Sequence, residues 1–261
     1  MNKLNPSPPP TGKLMAKTLA IIGLGAFGQL MARHLQPHFQ LLAHDPSPSV
    51  AAFAQAQSVP LVTLAEAARA DYVVIATPVE KIAAAATALA PHLRPETLVL
   101  DVGSVKMLPA ETLRRILPPA TAIVCTHPLF GPQSARDGIA GLKIAVCPVR
   151  GEGAAAVAQF LHETLRLEVI VTTPEEHDRE MAAAQGLTHM IAKILVEMEP
   201  LPRKLTTVSF DHIVKAIEMV RYDSLELFLA IQRNNPYAAE LRHSFFEKAA
   251  ALRKQLEETE R

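Results

Sequence analysis

The sequence predicts an α/β chain, with a doubly wound, mainly parallel sheet followed by a smaller all-helical domain. Three observations lead there. Up to Thr172, short apolar runs alternate with segments of helical period, the signature of β-α-β units. Those runs are apolar at successive positions, as strands covered by helices on both faces must be. After Thr172 only helical periodicity remains.

Composition bounds the rest. A chain of 261 residues fits one large or two modest domains. Its apolar fraction of 49% is ample for a core. Lys and Arg number 26 and Asp and Glu number 26, so no basic surplus marks a nucleic-acid groove or an anionic membrane as the partner. No apolar run is long enough to span a bilayer. Residues 1–16, with Asn5-Pro6-Ser7-Pro8-Pro9-Pro10 among them, read as a disordered, partly polyproline tail without the apolar core of a signal peptide. Met15 is a candidate start. Cys125 and Cys147 each fall inside a strand-like run and read as core thiols of a cytoplasmic protein, with no disulfide framework.

The first strand ends in Leu19-Ala20-Ile21-Ile22. Gly23-Leu24-Gly25-Ala26-Phe27-Gly28 follows and opens a helix running to Leu35. Phe39 to Asp45 is a second strand ending in an acid. Tyr72 to Ala76 and Thr97 to Asp101 are further strands, with an alanine-rich helix from Val79 to Leu89 between them. Thr121 to Cys125 is strand-like, and Thr126-His127-Pro128-Leu129-Phe130-Gly131-Pro132 is expected to break it as a stiff loop. Lys143 to Cys147 and Val169 to Thr172 are later strands, with Glu152 to Leu165 helical between them. Thr173-Pro174-Glu175-Glu176 reads as a capping box for one long helix ending near Met198: Thr173 caps, and Glu176 reaches back to the cap. Pro200 and Pro202 stop that helix. Further helices start near Asp211, Ser224 and Pro236.

A lone G-x-G-x-x-G is weak, but this one follows a strand, opens a helix, and precedes an acid at the spacing a dinucleotide site needs. Gly23 allows the tight turn, Gly25 the approach of a pyrophosphate, and Gly28 close packing of helix on strand. Together with Ala26 and Phe27 they place the phosphates at a helix N-terminus. Residues 17–172 are therefore read as a Rossmann dinucleotide-binding domain, and residues 173–261 as a helical domain for substrate and dimerisation. Asp45 accepts hydrogen bonds from ribose hydroxyls, or begins a turn before Pro46. Its charge repels a 2′-phosphate, and no Lys or Arg lies between Asp45 and Arg69, which favours NAD over NADP. Thr77 and Pro78, and the Asp101-Val102-Gly103-Ser104-Val105-Lys106 turn, end two neighbouring strands and border the same crevice. Ser104 is placed to bond a nicotinamide, to orient a neighbouring base, or to cap the helix from Lys106. Lys106 is expected to face solvent. His127, at a strand's carboxyl end, can move a proton near neutrality. His189 shares a helical face with Gln185 and is either a site residue or a satisfied core one. The other histidines, His177 among them, read as surface or capping residues. No spacing suggests a metal site.

Taken together, the glycine loop, Asp101 to Lys106, His127-Pro128-Leu129-Phe130-Gly131-Pro132, Glu175-Glu176-His177-Asp178, and Gln185 to His189 resemble the prephenate/arogenate dehydrogenases of tyrosine biosynthesis. The resemblance implies NAD or NADP as cofactor and a cyclohexadienyl substrate that undergoes oxidative decarboxylation. It makes His127 the catalytic base, Ser104 the residue that orients it and approaches the nicotinamide, and His189 a lining of the substrate pocket. Tyr222-Asp223-Ser224-Leu225-Glu226-Leu227-Phe228 is similar to a segment of plant-type arogenate enzymes, where the Asp is a counter-charge for the substrate ammonium. Lys215 lies near where prephenate-type members carry an arginine, and Gln133 where several carry an acid. The plant-type likeness points to NADP and Asp45 to NAD. A homodimer through the helical domain is expected from family and size.

Overall fold

The computed structural model describes residues 17–259. The expected tail at residues 1–16 lies outside the described residues. β1 (Thr18–Ile22), β2 (Gln40–His44), β3 (Tyr72–Ile75), β4 (Leu98–Asp101), β5 (Ala122–Pro128), β6 (Lys143–Arg150) and β7 (Glu168–Val171) form one sheet in the order β2-β1-β3-β4-β5-β6-β7. Every neighbouring pair is parallel except β5 with β6.

Helices cover both faces, so alternate residues of each strand enter different cores. Ala20, Ile22, Val73, Ile75, Val99 and Ile123 pack with Ile82 and Leu89 of α4 (Ile82–Leu89) and Leu113 of α5 (Met107–Ile116). On the opposite face Leu19, Ile21, Val74, Leu100 and Val124 pack with Ala32 and Leu35 of α1 (Ala26–Leu35) and Ala54 of α2 (Ala51–Ala56), and Val157 of α6 (Ala154–Gln159) packs against them, while Ala67 of α3 (Leu64–Ala67) joins the first core. Burial of this two-sided apolar surface, at about 25 cal/mol per Å², is the main force holding the sheet. Cys125 and Cys147 face each other across β5 and β6 as buried free thiols, and burial pushes both thiol pKa values up.

One boundary differs from the expected one in a way that matters. β5 does not stop at Cys125 but runs through Thr126, His127 and Pro128. The reason is non-local: β6 returns antiparallel and pairs Thr126 with Val146 and His127 with Ala145. His127 is thus a strand residue held by a ladder on one side, not part of a free loop.

Beyond Val171 the described residues are helical, in α7 (Pro174–Met181), α8 (Thr188–Glu197), α9 (Val208–Val220), α10 (Leu225–Asn234) and α11 (Ala238–Thr259). A π-helical segment, Ala182–Leu187, joins α7 to α8. Thr173 caps α7, accepting from the Glu176 N–H at 3.1 Å. The reciprocal half of the expected box is absent, since the Glu176 carboxylate takes the Thr172 hydroxyl at 2.9 Å instead. Thr207 caps α9 and Ser224 caps α10. No helix among the described residues is long and apolar enough to cross a membrane.

Candidate active site

Because β1 to β5 run parallel, the turns that follow Ile22, His44, Ile75 and Asp101 gather with His127 at one edge of the sheet. The glycine loop begins there. Gly23 has φ +101°, and a Cβ on it would lie 2.8 Å from the Ala76 carbonyl oxygen. A Cβ on Gly28 would lie 2.2 Å from the Gly23 carbonyl oxygen, so α1 can sit this close only with glycine there. A Cβ on Gly25 would meet nothing within 4 Å. The N-terminus of α1 therefore opens onto free space, as a bound pyrophosphate requires. Ala26 and Phe27 form its first turn, and the Phe27 ring packs on Phe130 at 6.2 Å, tying this helix to the turn after His127.

Asp45 closes the loop from the neighbouring strand. One carboxylate oxygen accepts the Leu24 N–H at 2.7 Å and the other accepts the Ser47 N–H at 2.8 Å. The acid thus starts the local turn and stands beside the glycine loop. Thr77 Oγ1, Ser104 Oγ and Gln185 Oε1 are buried and have no hydrogen-bond partner among the described residues. Unpaired buried polar atoms are costly, and those of Thr77 and Ser104 follow the adjacent strands β3 and β4 at the edge where the glycine loop lies, so they fit a polar ligand such as a nicotinamide dinucleotide. Pro78 is exposed at the same edge.

Below the cleft lies a polar network that spacing did not reveal. Lys106, expected to face solvent, is fully buried. Its Nζ donates at 2.6 Å to Asp101 Oδ2 and at 2.6 Å to the Thr126 carbonyl oxygen. α7 packs on the helix that follows this lysine, and a buried ammonium persists only when paired and hydrogen-bonded, as here. Ser104 does not cap α5. The cap comes from 72 residues away: Asp178 Oδ1 accepts the Lys106 N–H at 2.7 Å and Oδ2 accepts the Met107 N–H at 2.9 Å.

His177, expected at the surface, is buried. Its Nε2 stands 2.9 Å from His127 Nδ1 and its Nδ1 stands 2.8 Å from Asp178 Oδ1. His127 is therefore held by His177 and not by Ser104. Burial pushes the His127 pKa well below its ordinary value, and His177, Lys106 and His189 push the same way. These causes all disfavour the charged imidazolium.

The helical wall brings the remaining candidates into unequal positions. His189 is buried on α8, and its Nε2 stands 3.6 Å from Asp223 Oδ2. Burial, with Lys193 beside it, lowers the His189 pKa to about 4. Burial raises the pKa of Asp223. Asp223 is not the cap of α10, a role that Ser224 fills. Gln185 lies in the π segment, and the Gln232 side chain fastens that segment by donating to the Gly186 carbonyl oxygen at 2.8 Å. Gln133 is half-buried just beyond Gly131. Lys215 is exposed on α9 and is not joined to the cluster. Lys193, four residues after His189, is the cation that weighs on both His189 and Asp223. The i,i+4 spacing on α8 was the signal for it. For His177, the signal was its place in Glu175-Glu176-His177-Asp178.

The model of the nucleotide-binding domain of prephenate dehydrogenase matches residues 31–170. Arogenate dehydrogenase 1 of Arabidopsis thaliana, a chloroplastic protein, is 31% identical over 252 residues, which are 91% of this chain and 39% of that one. Cyclohexadienyl dehydrogenase of Zymomonas mobilis is 32% identical over 197 residues, 70% of this chain and 67% of that one. The chain spans 39% and 43% of the lengths of the two Arabidopsis arogenate dehydrogenases it matches. Among solved structures, prephenate dehydrogenase of Aquifex aeolicus with hydroxyphenyl propionate and NAD+ superposes with a TM-score of 0.70 at 21% identity, covering 95% of this chain and 94% of that one. Synechocystis arogenate dehydrogenase does so with a TM-score of 0.68 at 19% identity, covering 93% of each.

Proposed function

Because the chain belongs to the prephenate/arogenate dehydrogenase family, we propose that it catalyses NAD(P)-dependent oxidative decarboxylation of arogenate to tyrosine. One observation carries the reading: a buried His127 at the carboxyl end of β5, beside a glycine loop open to a dinucleotide and on the side of His189 and Asp223 of the helical wall. A bound nicotinamide supplies the hydride acceptor for ring C4. His127 takes the proton of the 4-hydroxyl, whose O–H electron pair becomes the second carbon–oxygen bond as hydride leaves. Carbon dioxide then departs from C1, its bonding pair enters the ring, and the phenolate recovers the proton from His127. The net change is one hydride transferred and one carbon dioxide released. Such a positioned base contributes about 10²–10⁴-fold.

In this reading residues 17–172 hold the dinucleotide, through Gly23, Gly25, Ala26, Phe27, Gly28, Asp45, Thr77 and Pro78. Residues 173–261 supply the substrate wall. Ser104, with its unpaired Oγ, bonds the nicotinamide or the substrate hydroxyl. Asp223 meets the substrate ammonium, because a carboxylate whose charged form burial disfavours gains from an incoming cation. Gln185 and His189 contact the ring or its carboxylate. Gln133 and Lys215 are weaker members of this set, and Lys193 stands nearer the cluster than Lys215 does. Asp45 favours NAD over NADP. Exposed apolar residues on the helical side, Val208, Met219 and Leu225 among them, support a homodimer, and two buried free thiols suit the cytoplasm. Steady-state kinetics with arogenate and prephenate, each with NAD and NADP, test the reading. Reduced cofactor is expected fastest with arogenate and NAD, and no reduction with either substrate would overturn it.

A further inference from the structure

Two protons decide whether His127 can work as a base, and the heavy-atom contacts around it constrain where both sit. Asp178 accepts backbone N–H groups on both carboxylate oxygens, from Lys106 and Met107. A carboxylate so engaged is an acceptor, so the 2.8 Å contact to His177 Nδ1 is an N–H donation from the imidazole. With its proton on Nδ1, the His177 imidazole presents the lone pair of Nε2 to its neighbour. That Nε2 sits 2.9 Å from His127 Nδ1, close enough only if the His127 nitrogen carries the proton. A neutral His127 protonated on Nδ1 keeps its lone pair on Nε2. In an imidazole, the bond made by one nitrogen sets the state of the other.

We propose that His177, oriented by Asp178, is a positioning residue that locks His127 in the tautomer with Nε2 free to receive the substrate proton. Its neighbours agree. The Lys106 ammonium from the start of α5, itself paired with Asp101 of β4, lies beside the two rings and disfavours a second positive charge there. His189 from α8 acts in the same sense on His127. Asp178 also joins the two halves of the cleft. The same carboxylate that steers His177 caps α5, and so holds the turn carrying Ser104, while its backbone carbonyl accepts from Asn235 Nδ2 at 2.7 Å. A displacement of α7 would move the base and the Ser104 turn together. The relay is proton positioning only: His177 acts through His127.

The proposal rests on the dehydrogenase reading for its purpose but not for its test. Histidine ring nitrogens labelled with ¹⁵N report the tautomer in the protein without substrate, and comparison with His127→Asn assigns the signal. The expected state is His127 protonated on Nδ1 and bare on Nε2. His127 protonated on Nε2 would overturn the proposal, whether or not either substrate is turned over. The second arm is kinetic. His177→Leu is expected to lower kcat at least about tenfold while leaving cofactor affinity intact. His177→Gln places an amide oxygen near the lost acceptor and is expected to recover most of that rate. Unchanged kcat in His177→Leu, or a His177→Gln protein no faster than His177→Leu with cofactor affinity intact in both, would overturn it. If His177→Leu does not fold, the wild-type spectrum still decides.

Discussion

Around His127 each charged group has a partner of its own, Lys106 with Asp101 Oδ2 and Asp178 with two backbone N–H groups and His177, while Asp101 Oδ1 and Ser104 Oγ have none among the described residues. The wall opposite is built the other way. His189 and Asp223 stand 3.6 Å apart, beyond hydrogen-bond length, and Gln185 Oε1 has no partner among the described residues. The difference teaches a division of labour. In the proposed reaction a proton is taken at a fixed distance, which suits a floor held by short bonds. The same proposal has one side chain chosen among similar ones, which suits a wall whose polar groups find partners in the substrate.

That contrast can be broken at four points. The largest effect is expected at the base itself: His127→Asn should lower kcat by about 10²–10⁴-fold while cofactor affinity, read by fluorescence titration, stays nearly unchanged. Full turnover in this variant would remove the floor from the chemistry. Next is Lys106→Met, which leaves the Asp101 carboxylate buried without its cation. Denaturant unfolding should show a loss of about 3–5 kcal/mol. A small loss would mean the floor is far less constrained than its geometry.

The third point is acid. The His189 pKa lies at about 4 in the folded chain against an ordinary 6.5, so as pH falls through the ordinary value the unfolded chain takes up the proton first. Its stabilising contribution is full above that value and fades down to the folded one, a loss of about 3 kcal/mol. His127 is shifted in the same direction and adds to the loss. Denaturant midpoints at about pH 7.5 and about pH 5, compared with a His189→Asn variant, check this. Equal pH dependence in the two proteins would contradict burial of His189. The smallest effect is expected at the wall: Asp223→Asn should raise prephenate turnover relative to arogenate by about tenfold, the worth of one charged hydrogen bond. An unaltered ratio would make Asp223 structural.

Much of the sheet was legible because its signals are local. The apolar runs of β1 to β5 and the spacing of Gly23, Gly25 and Gly28 are visible to anyone reading along the chain. The errors share one cause. Lys106 reads as a surface residue because lysines usually are, and nothing within ten residues announces that α7 will pack on the helix that follows it. His177 follows two glutamates and looks solvated, yet α7 turns that face inward. His127 looks like a loop residue because Pro128 and Pro132 flank it, while β6 returning from Lys143 extends the strand beneath it.

Periodicity and turn chemistry are short-range, so the residue order already determined most of the helices and strands and the dinucleotide loop, and it singled out His127 as a candidate base. Which groups would meet was left to the packing of distant segments. Asp178 reaches Lys106 across 72 residues and His177 reaches His127 across 50. Burial then makes those meetings obligatory, because inside the protein each N–H, carboxylate and ammonium must find a partner or forfeit its solvation. Only the folded chain could decide that the partner of the base is a second histidine.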